Sequence, residues 1–355
     1  MTTMEIRTYK LPLQTPYRWS KGIQHHRMGL VLRLQRGQHV GWGEAALPPH
    51  VDYDPHAYAQ ECAALLSGLD PFADDFLHQL DIRECPARLR CGISTTLLTL
   101  KAAEAGKSLT AYLLGNERPA PPRVPVNDLI GDAEPAICAQ RANAAAARGQ
   151  DTVKVKCTPE RELDLARIAA IRAAQPHIKI RLDPNESWPV EWAAEQLNAM
   201  ARFNIEYCEE PLPRGTPLSV YGDLRKQTPV PIALDDSIRT LRDVELAALH
   251  GAADVFVLKA QRVGGPDHLL DIVRAATAAG IRCVVTSSLE TSIGLYLGIH
   301  CTALTPALMG PAGIGTARYF AENIGEPPPI VDGHMVLPAT PGLGFDPQGW
   351  WDAQA

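Results

Sequence analysis

DTVKVKC, residues 151–157, places two lysines in a segment that otherwise has the character of a buried β-strand. Side chains alternate between the two faces of a strand, so Val153 and Val155 share one face while Lys154 and Lys156 share the other. A single KxK pattern of this kind is typical of a strand with one solvated face. The role of these lysines therefore depends on what the rest of the chain places beside them.

Five further short apolar runs follow this segment, and amphipathic stretches of helical periodicity separate them. The runs are IKIRLD, IEYCEE, VPIALDD, DVFVLKA and IRCVVTSS. Regular alternation of strand and helix indicates a parallel sheet. The polar residues that close the six runs are 24 to 28 positions apart, about the length of one strand–helix unit. These residues are Lys156, Asp183, Glu209, Asp235, Lys259 and Ser287.

Six such units, with one more around RVPVNDLI (123–130) and another around AGIGTARYF (312–320), predict a (β/α)8-type barrel, a modified TIM barrel. A doubly wound open sheet would normally carry a glycine-rich turn after its first strand, and none is present. Residues 28–45 predict a β-hairpin with its turn at QRGQ, and helical patterns follow them. The proline-rich segment 115–125 has the composition of a linker. We therefore expect an N-terminal α+β domain over residues 1–120 and the barrel over residues 121–319.

Composition narrows the class of protein. The chain has 355 residues and a net charge of −6, which gives no indication of nucleic-acid binding. No apolar run reaches the roughly 18 residues of a membrane span. The N-terminus lacks a basic region followed by an apolar stretch, so we expect no secretory signal and a cytoplasmic location. The eight cysteines form no CxxC pair, which favours buried thiols over a disulfide framework or a zinc site.

Charged residues at the strand ends predict a catalytic site, because barrel enzymes carry their catalytic groups at the C-terminal ends of different strands. Three carboxylates that meet at one mouth raise one another's pKa values, and a divalent cation relieves this repulsion. Hard oxygen ligands with open coordination positions suit Mg²⁺ or Mn²⁺. A lysine near such a cation has a lowered pKa and can act as a base near neutrality. Each motif alone could be a turn, a helix cap or surface charge, but their ordered recurrence favours a functional site.

These motifs resemble the enolase superfamily, in its muconate-lactonizing-enzyme branch, over nearly the whole chain. VGWGEAALPP (40–49) is similar to the hairpin end of the family's N-terminal capping domain. The resemblance implies that the tail, residues 320–355, packs back against this cap. The motifs KVK, RLDPNESW, EYCEEPL, IALDDS and VLKAQRVGG carry the implied roles. Lys156 is then the acid/base, Lys259 is the opposite lysine, and the metal ligands are Asp183, Glu209 and Asp235.

Membership of this superfamily implies removal of a proton α to a carboxylate and stabilisation of the enediolate by the metal. The seventh strand end, VVTSSLET, lacks the catalytic histidine of the mandelate-racemase branch. Residues 310–320 lack the acidic DxD-type motif of dipeptide epimerases and offer glycine N–H groups, which suit an anion. With TSSLETSIGL and VPVNDLI, this stretch most resembles the o-succinylbenzoate synthases of menaquinone biosynthesis. A carbon–oxygen lyase that carries out a syn dehydration of a small carboxylate is therefore expected.

The same resemblance assigns supporting roles. Lys154 is expected to order Lys156, and Asn185 and Asp236 are expected to support the metal ligands. The family usually has Glu after the third ligand, and the shorter Asp236 is expected to change how Lys259 is oriented. The residues expected to meet the succinyl carboxylate are Ser287, Ser288, Gly313 and Gly315.

Several alternatives remain open. N-succinylamino acid racemases, dipeptide epimerases and cycloisomerases of the branch use the same five residues, and loops at 15–27 and 48–55 are expected to set specificity. His25 and His26 lie in the first loop, where a structural role is favoured over one in the site. If the chain were a non-catalytic binding protein on a degenerate barrel, at least one of the metal ligands or lysines would be missing from the motifs, and none is missing. A phosphate-binding barrel with RVGGPDH (262–268) as its anion loop leaves the carboxylates unexplained. A homo-oligomer is compatible with the sequence, which does not determine the number of subunits.

Overall fold

The computed structural model describes residues 4–19, 22–48, 54–131, 134–305 and 310–354. Its N-terminal part, termed the cap below, begins with an antiparallel sheet of strands β1 (Glu5–Trp19), β2 (Gly22–Arg36) and β3 (His39–Ala46). Arg36 pairs with His39 across a turn at Gly37, which confirms the predicted hairpin. Four helices complete the cap: α1 (Pro55–Leu66), α2 (Phe76–Ile82), α3 (Ala87–Glu104) and α4 (Leu109–Leu114).

The rest of the chain alternates strand and helix as predicted. The strands are β4 (Arg123–Pro125), β5 (Asp128–Ile130), β6 (Thr152–Lys156), β7 (Lys179–Asp183), β8 (Ile205–Glu209), β9 (Ile232–Leu234), β10 (Val255–Leu258), β11 (Arg282–Val285) and β12 (His334–Val336). The helices are α5 (Pro135–Ala147), α6 (Arg161–Ala174), α7 (Val190–Ala201), α8 (Leu218–Gln227), α9 (Leu241–His250), α10 (Ala260–Val263), α11 (Pro266–Ala278), α12 (Ser292–Leu304) and α13 (Gln348–Ala353). A 3-10 turn spans Ala317–Tyr319.

Within the described ranges, β5 to β11 form one parallel sheet of seven strands in chain order. Val153 and Val155 on β6 are fully buried in the main apolar core, to which the surrounding helices also contribute side chains. The alternate face of the strands points into the barrel, where Tyr207, Val255 and Val257 belong to a separate apolar cluster. The two lysines of DTVKVKC therefore face the barrel interior.

Single backbone bridges close the barrel in place of a regular eighth strand. Val126 bridges Ala312, and Thr286 bridges Gly313, so the segment expected to form the last strand joins β11 to the chain just before β5. Below these bridges Arg181 is fully buried and donates from Nη1 to Asn127 Oδ1 at 3.1 Å and to the carbonyl of Pro311 at 2.6 Å. One interior guanidinium thus ties together the two edges of the sheet.

Close backbone packing holds the cap together and brings it to the barrel. A Cβ atom on Gly41 or Gly43 would lie 2.1 or 2.2 Å from a carbonyl oxygen of α3, so these glycines let β3 lie directly against that helix. The tail returns to the cap, where Trp351 packs edge-on against Trp42 with ring centroids 5.4 Å apart.

The domain boundaries expected at residues 120 and 319 stay a prediction. Among the described helices, none combines the length and the apolar character that crossing a bilayer requires.

Glu44 on β3 latches the cap to the N-terminus of α12. Its buried carboxylate accepts hydrogen bonds from Tyr9 Oη at 2.6 Å, from Thr291 Oγ1 at 2.7 Å and from the N–H of Gly294 at 2.9 Å. Backbone N–H groups at a helix start favour an anion, so the negative charge of Glu44 is stabilised there. The latch anchors the helix that follows the seventh strand end.

We expect Glu44→Gln to lower the free energy of unfolding by about 2–3 kcal/mol, because the amide NH₂ would face donors that need an acceptor. Chemical denaturation monitored by circular dichroism measures this change. Glu104→Gln, which removes an exposed partner of Arg36, is the matched control and should cost less than about 1 kcal/mol. Equal effects of the two substitutions would contradict the latch.

Candidate active site

The C-terminal ends of the strands surround a cavity of about 150 Å³, termed the mouth cavity. The predicted site residues that line it are Lys154, Lys156, Asp183, Asn185, Lys259, Ser287, Ser288, Gly313 and Gly315. Glu209 and Asp235 lie beside it and are ion-paired to its lysines. The tertiary structure therefore brings the predicted residues to one place.

Lys154 links two of the predicted metal ligands. Its Nζ lies 2.7 Å from Asp183 Oδ2 and 2.7 Å from both carboxylate oxygens of Glu209. Both carboxylates are 1% exposed, and strand register places Glu209 next to Asp183, because Leu182 pairs with Cys208. Lys154 thus offsets part of the negative charge of two carboxylates whose ionisation burial would otherwise disfavour.

Lys156 and Lys259 stand at the two sides of the acidic group. The ammonium of Lys156 lies 2.5 Å from Asp183 Oδ2 and donates to Asn185 Oδ1 at 2.8 Å, and the Asn185 N–H donates to Asp183 Oδ1 at 3.1 Å. Lys259, directly after β10, forms a close ion pair with Asp235. Each lysine is therefore tethered to a different carboxylate, with Glu209 between them along the sheet.

The electrostatic balance differs among the three acids. The pKa of Glu209 is raised to about 7 by burial and by the charges of Asp183 and Asp235, against the lowering effects of Lys154 and Lys259. For Asp183 burial also opposes ionisation, but Lys154 and Lys156 outweigh it and its pKa is lowered. For Asp235 burial is outweighed by Lys259, Arg262 and Lys154, which together lower its pKa to about 2. Burial opposes protonation of Lys154, yet Asp183 and Glu209 hold its pKa well above the usual value.

The donor chemistry fits a hard divalent cation, although the carboxylates are turned toward lysines. In the described part of the chain no three His, Cys, Asp or Glu side chains are arranged to enclose an ion. Oδ1 of Asp235 is nevertheless buried without a hydrogen-bond partner, and three carboxylates end adjacent strands β7, β8 and β9. Carboxylate oxygens are the ligands that Mg²⁺ prefers.

Asp236 lies against arginines at the rim of the mouth cavity. Its carboxylate forms ion pairs with Arg262 and, at 3.5 Å, with Arg214. The Lys259 ammonium pairs with Asp235. A role of Asp236 in orienting Lys259 therefore stays a prediction, and Arg262 is an additional cation that the motifs did not single out.

The residues expected to meet a substrate carboxylate differ in what they can donate. Ser287 Oγ hydrogen-bonds Thr316 Oγ1 at 2.8 Å, whereas the buried Ser288 Oγ has no hydrogen-bond partner. The Gly313 N–H donates to the carbonyl of Val285 at 2.9 Å. The expectation that this N–H binds an anion is therefore wrong, because barrel closure already uses it. Gly313 and Gly315 still line the cavity and keep its wall free of side chains.

Sequence patterns missed several lining residues, which are Arg88, Asn127, Leu129, Arg262, Thr286, Leu289 and Thr316. Arg88 belongs to the first turn of α3 in the cap, and no chemical motif surrounds it.

Other predicted segments lie away from the cavity or outside the described residues. His25 and His26 lie on exposed positions of β2. The loops expected to set specificity include residues 20, 21 and 49–53, which lie outside the described residues. The proposed anion loop at 262–268 is covered by α3, since Arg90 donates to the carbonyl of Gly264 at 2.7 Å.

Comparisons with known proteins agree with this geometry. The family model described as "Enolase C-terminal domain-like" matches residues 137–351. An o-succinylbenzoate synthase of Mycolicibacterium smegmatis is 34% identical over 299 residues, 76% of this chain and 89% of the relative. A dipeptide epimerase from Enterococcus faecalis, solved with Mg and the dipeptide L-Leu-L-Tyr, has a TM-score of 0.88 and 24% identity, covering 97% of this chain and 98% of its own. An N-succinyl Arg/Lys racemase from Bacillus cereus has a TM-score of 0.88 and 21% identity, covering 98% and 95%.

The two solved structures support the fold, and the family model spans the strand ends that carry all five central residues. The o-succinylbenzoate synthase relative extends the similarity to most of both chains. The chain therefore belongs to the enolase C-terminal domain-like family, in the enolase superfamily.

Proposed function

We propose that the protein is a carbon–oxygen lyase that dehydrates the succinyl-hydroxycyclohexadiene-carboxylate precursor to o-succinylbenzoate in menaquinone biosynthesis. The observation that carries the proposal is the pair of lysines, Lys156 and Lys259, on either side of three buried carboxylates at one barrel mouth. Similarity to a curated o-succinylbenzoate synthase supports the choice of substrate.

Lys156 is the proposed acid/base. Its neutral amine takes the proton α to the substrate carboxylate, and the electron pair of that C–H bond moves into the carboxylate to form an enediolate. The enediolate then collapses, the C–O bond breaks, and the Lys156 ammonium donates its proton to the departing hydroxyl, which leaves as water. A single lysine therefore serves a syn elimination, in which both transfers occur on one face.

The remaining charged residues hold and balance the dianion. Asp183, Glu209 and Asp235 would hold Mg²⁺, or Mn²⁺, which when bound supplies positive charge to the substrate carboxylate. Lys259 places a second cation on the opposite face of the ring. Lys154 stays paired with Asp183 and Glu209, and Asn185 orients the Lys156 ammonium through its 2.8 Å hydrogen bond.

Racemisation of an N-succinylamino acid is the second candidate. Two lysines that face each other across a substrate can remove and return a proton on opposite faces, and Lys156 and Lys259 have this disposition relative to the acids. Dipeptide epimerase and cycloisomerase activities use the same residues, but no carboxylate occurs in residues 310–320 to bind a dipeptide ammonium.

The test is a parallel assay with Mg²⁺ on the dehydration precursor, an N-succinylamino acid and Ala-Glu. We expect dehydration to have the largest kcat/KM. Fast racemisation of the succinylamino acid without dehydration would support the second candidate, and fast epimerisation of Ala-Glu would overturn both.

The scattered cysteines without a CxxC pair favour a reducing compartment, and we place the enzyme in the cytoplasm on that ground. Its partner is then a small carboxylate substrate, with no nucleic acid or membrane required. A homo-oligomer stays compatible with this function.

A further inference from the structure

We propose that Arg88, supplied by the cap, binds the distal carboxylate of the substrate's succinyl arm and sets the preference for substrates that carry it. This inference rests on the proposed function for the identity of the substrate, but the binding role of Arg88 can be tested separately.

Arg88 has few partners within the protein. Its guanidinium lines the mouth cavity and donates from Nη1 to the carbonyl of Ala46 at 2.8 Å. A guanidinium has five N–H donors, so most of its capacity remains for a ligand. Among the described residues no Asp or Glu oxygen lies within 4.0 Å of it. A charged group in such a site is stabilised by an anion that enters with the substrate.

The other arginines near the cavity are already committed. Arg27 is fully buried and donates to the carbonyls of Leu47, Ser288 and Leu289 at 2.8 to 3.2 Å. Arg262 is ion-paired with Asp236. Arg262 therefore forms part of the cavity wall, both Arg27 and Arg262 add positive potential, and Arg88 is the arginine of the three with open donors.

The surroundings of Arg88 carry an excess of positive charge. Burial and the charges of Arg27 and Arg262 lower the pKa of Arg88 to about 10, against a smaller opposing effect of Glu290. The Glu290 carboxylate itself accepts from the Ser288 N–H at 2.7 Å. Arg88 stays protonated at neutral pH, and a carboxylate would relieve the repulsion among the three guanidinium groups.

A neighbouring ion pair ties the start of α3 to the barrel. Two residues after Arg88, Arg90 is 4% exposed and pairs with Asp81 and, at 2.9 Å, with Asp267 of α11. The planar fork of a held arginine suits bidentate recognition of a carboxylate. The lysines and carboxylates at the strand ends then act on the substrate carboxylate beside the reacting carbon. Arg88 of the cap binds the second carboxylate, on the succinyl arm.

The test measures binding of two probes in the presence of Mg²⁺ by calorimetry. One probe is o-succinylbenzoate, and the other is its analogue with the succinyl carboxylate replaced by a primary amide. We expect the wild-type protein to prefer the dicarboxylate by about 10- to 100-fold, the range for a hydrogen bond to a charged group. Arg88→Gln should reduce this preference to less than about threefold, and Arg88→Lys should restore part of it. Arg242→Gln, on the exposed face of α9, is the control and should keep the full preference.

Equal weakening of both probes by Arg88→Gln would indicate a structural role and overturn the proposal. Retention of the preference in that variant, or its absence in the wild-type protein, would overturn it as well. Binding of the probes requires no turnover, so a protein that discriminates between them through Arg88 but fails to dehydrate the precursor retains this inference while the proposed function fails.

Discussion

Lys156→Ala is expected to lower kcat by about 10²- to 10⁴-fold, the usual contribution of a positioned acid/base. The substitution removes the group that we propose both takes the α-proton and returns it to the leaving hydroxyl. Its Nζ is held by Asp183 and Asn185, whereas Lys154, which also contacts Asp183, is paired with Glu209 as well. Steady-state dehydration of the precursor measures the loss of kcat. Exchange of the α-proton with deuterated solvent measures the first transfer alone, and both should fall together.

Two companion variants separate proton transfer from charge. Lys156→Arg keeps a positive charge beside Asp183 but has a pKa too high for a base, so we expect it to be nearly as inactive as the alanine variant. Lys179→Ala removes an exposed lysine at the opposite end of β7, paired with Asp151, and should leave kcat within twofold. Mg²⁺ affinity should persist in every variant. Turnover retained by Lys156→Ala would refute the assignment of the base.

Glu209→Gln is expected to weaken Mg²⁺ binding by at least about 100-fold and to abolish turnover. The substitution removes a proposed direct ligand, and loss of a contact that only supports a metal ligand typically costs about 10- to 100-fold. Glu209 is the central member of the acidic group, flanked along the sheet by Asp183 and Asp235. The amide is nearly the same shape but carries no charge, so the change isolates electrostatics. Calorimetric titration of Mg²⁺ gives the affinity directly.

Thermal unfolding provides a second readout of the metal. A ligand that binds only the folded state raises Tm, so Mg²⁺ should stabilise the wild-type protein and leave Glu209→Gln almost unchanged. Glu245→Gln, at an exposed position of α9, should behave as the wild type does. Treatment with a chelator should abolish dehydration, and added Mg²⁺ should restore it. A wild-type enzyme that keeps full activity in excess chelator would contradict the metal site.

The barrel could be predicted from the sequence because the patterns that indicate its strands are local. Strands β6 to β10 each end in a charged residue or are directly followed by one, and period-two alternation places Lys154 and Lys156 on the face opposite Val153 and Val155. The order of parallel strands then follows from connections of nearly constant length. The same reasoning did not reach Arg181, whose burial depends on Asn127 and Pro311 from distant parts of the chain.

The prediction that the Gly313 N–H binds an anion was wrong for a related reason. A glycine-rich segment offers N–H groups, but whether they are available depends on the strand that lies beside them, and here Val285 accepts this one. Sequence patterns did not predict the Glu44 latch, because a lone glutamate in a hairpin has no local sequence signature. Its partners Thr291 and Gly294 lie about 250 positions along the chain.

By itself, the sequence predicted the barrel class and the five charged strand ends, since alternation and spacing are properties of neighbouring residues. The expected kind of reaction came from the resemblance of these motifs to the enolase superfamily. Only the tertiary structure decided which acid pairs with which lysine, how the barrel closes and that Arg88 of the cap reaches the mouth cavity. Contacts such as that between Arg27 and Leu289 join residues 262 positions apart, and packing of whole elements, not local pattern, brings them within hydrogen-bonding distance.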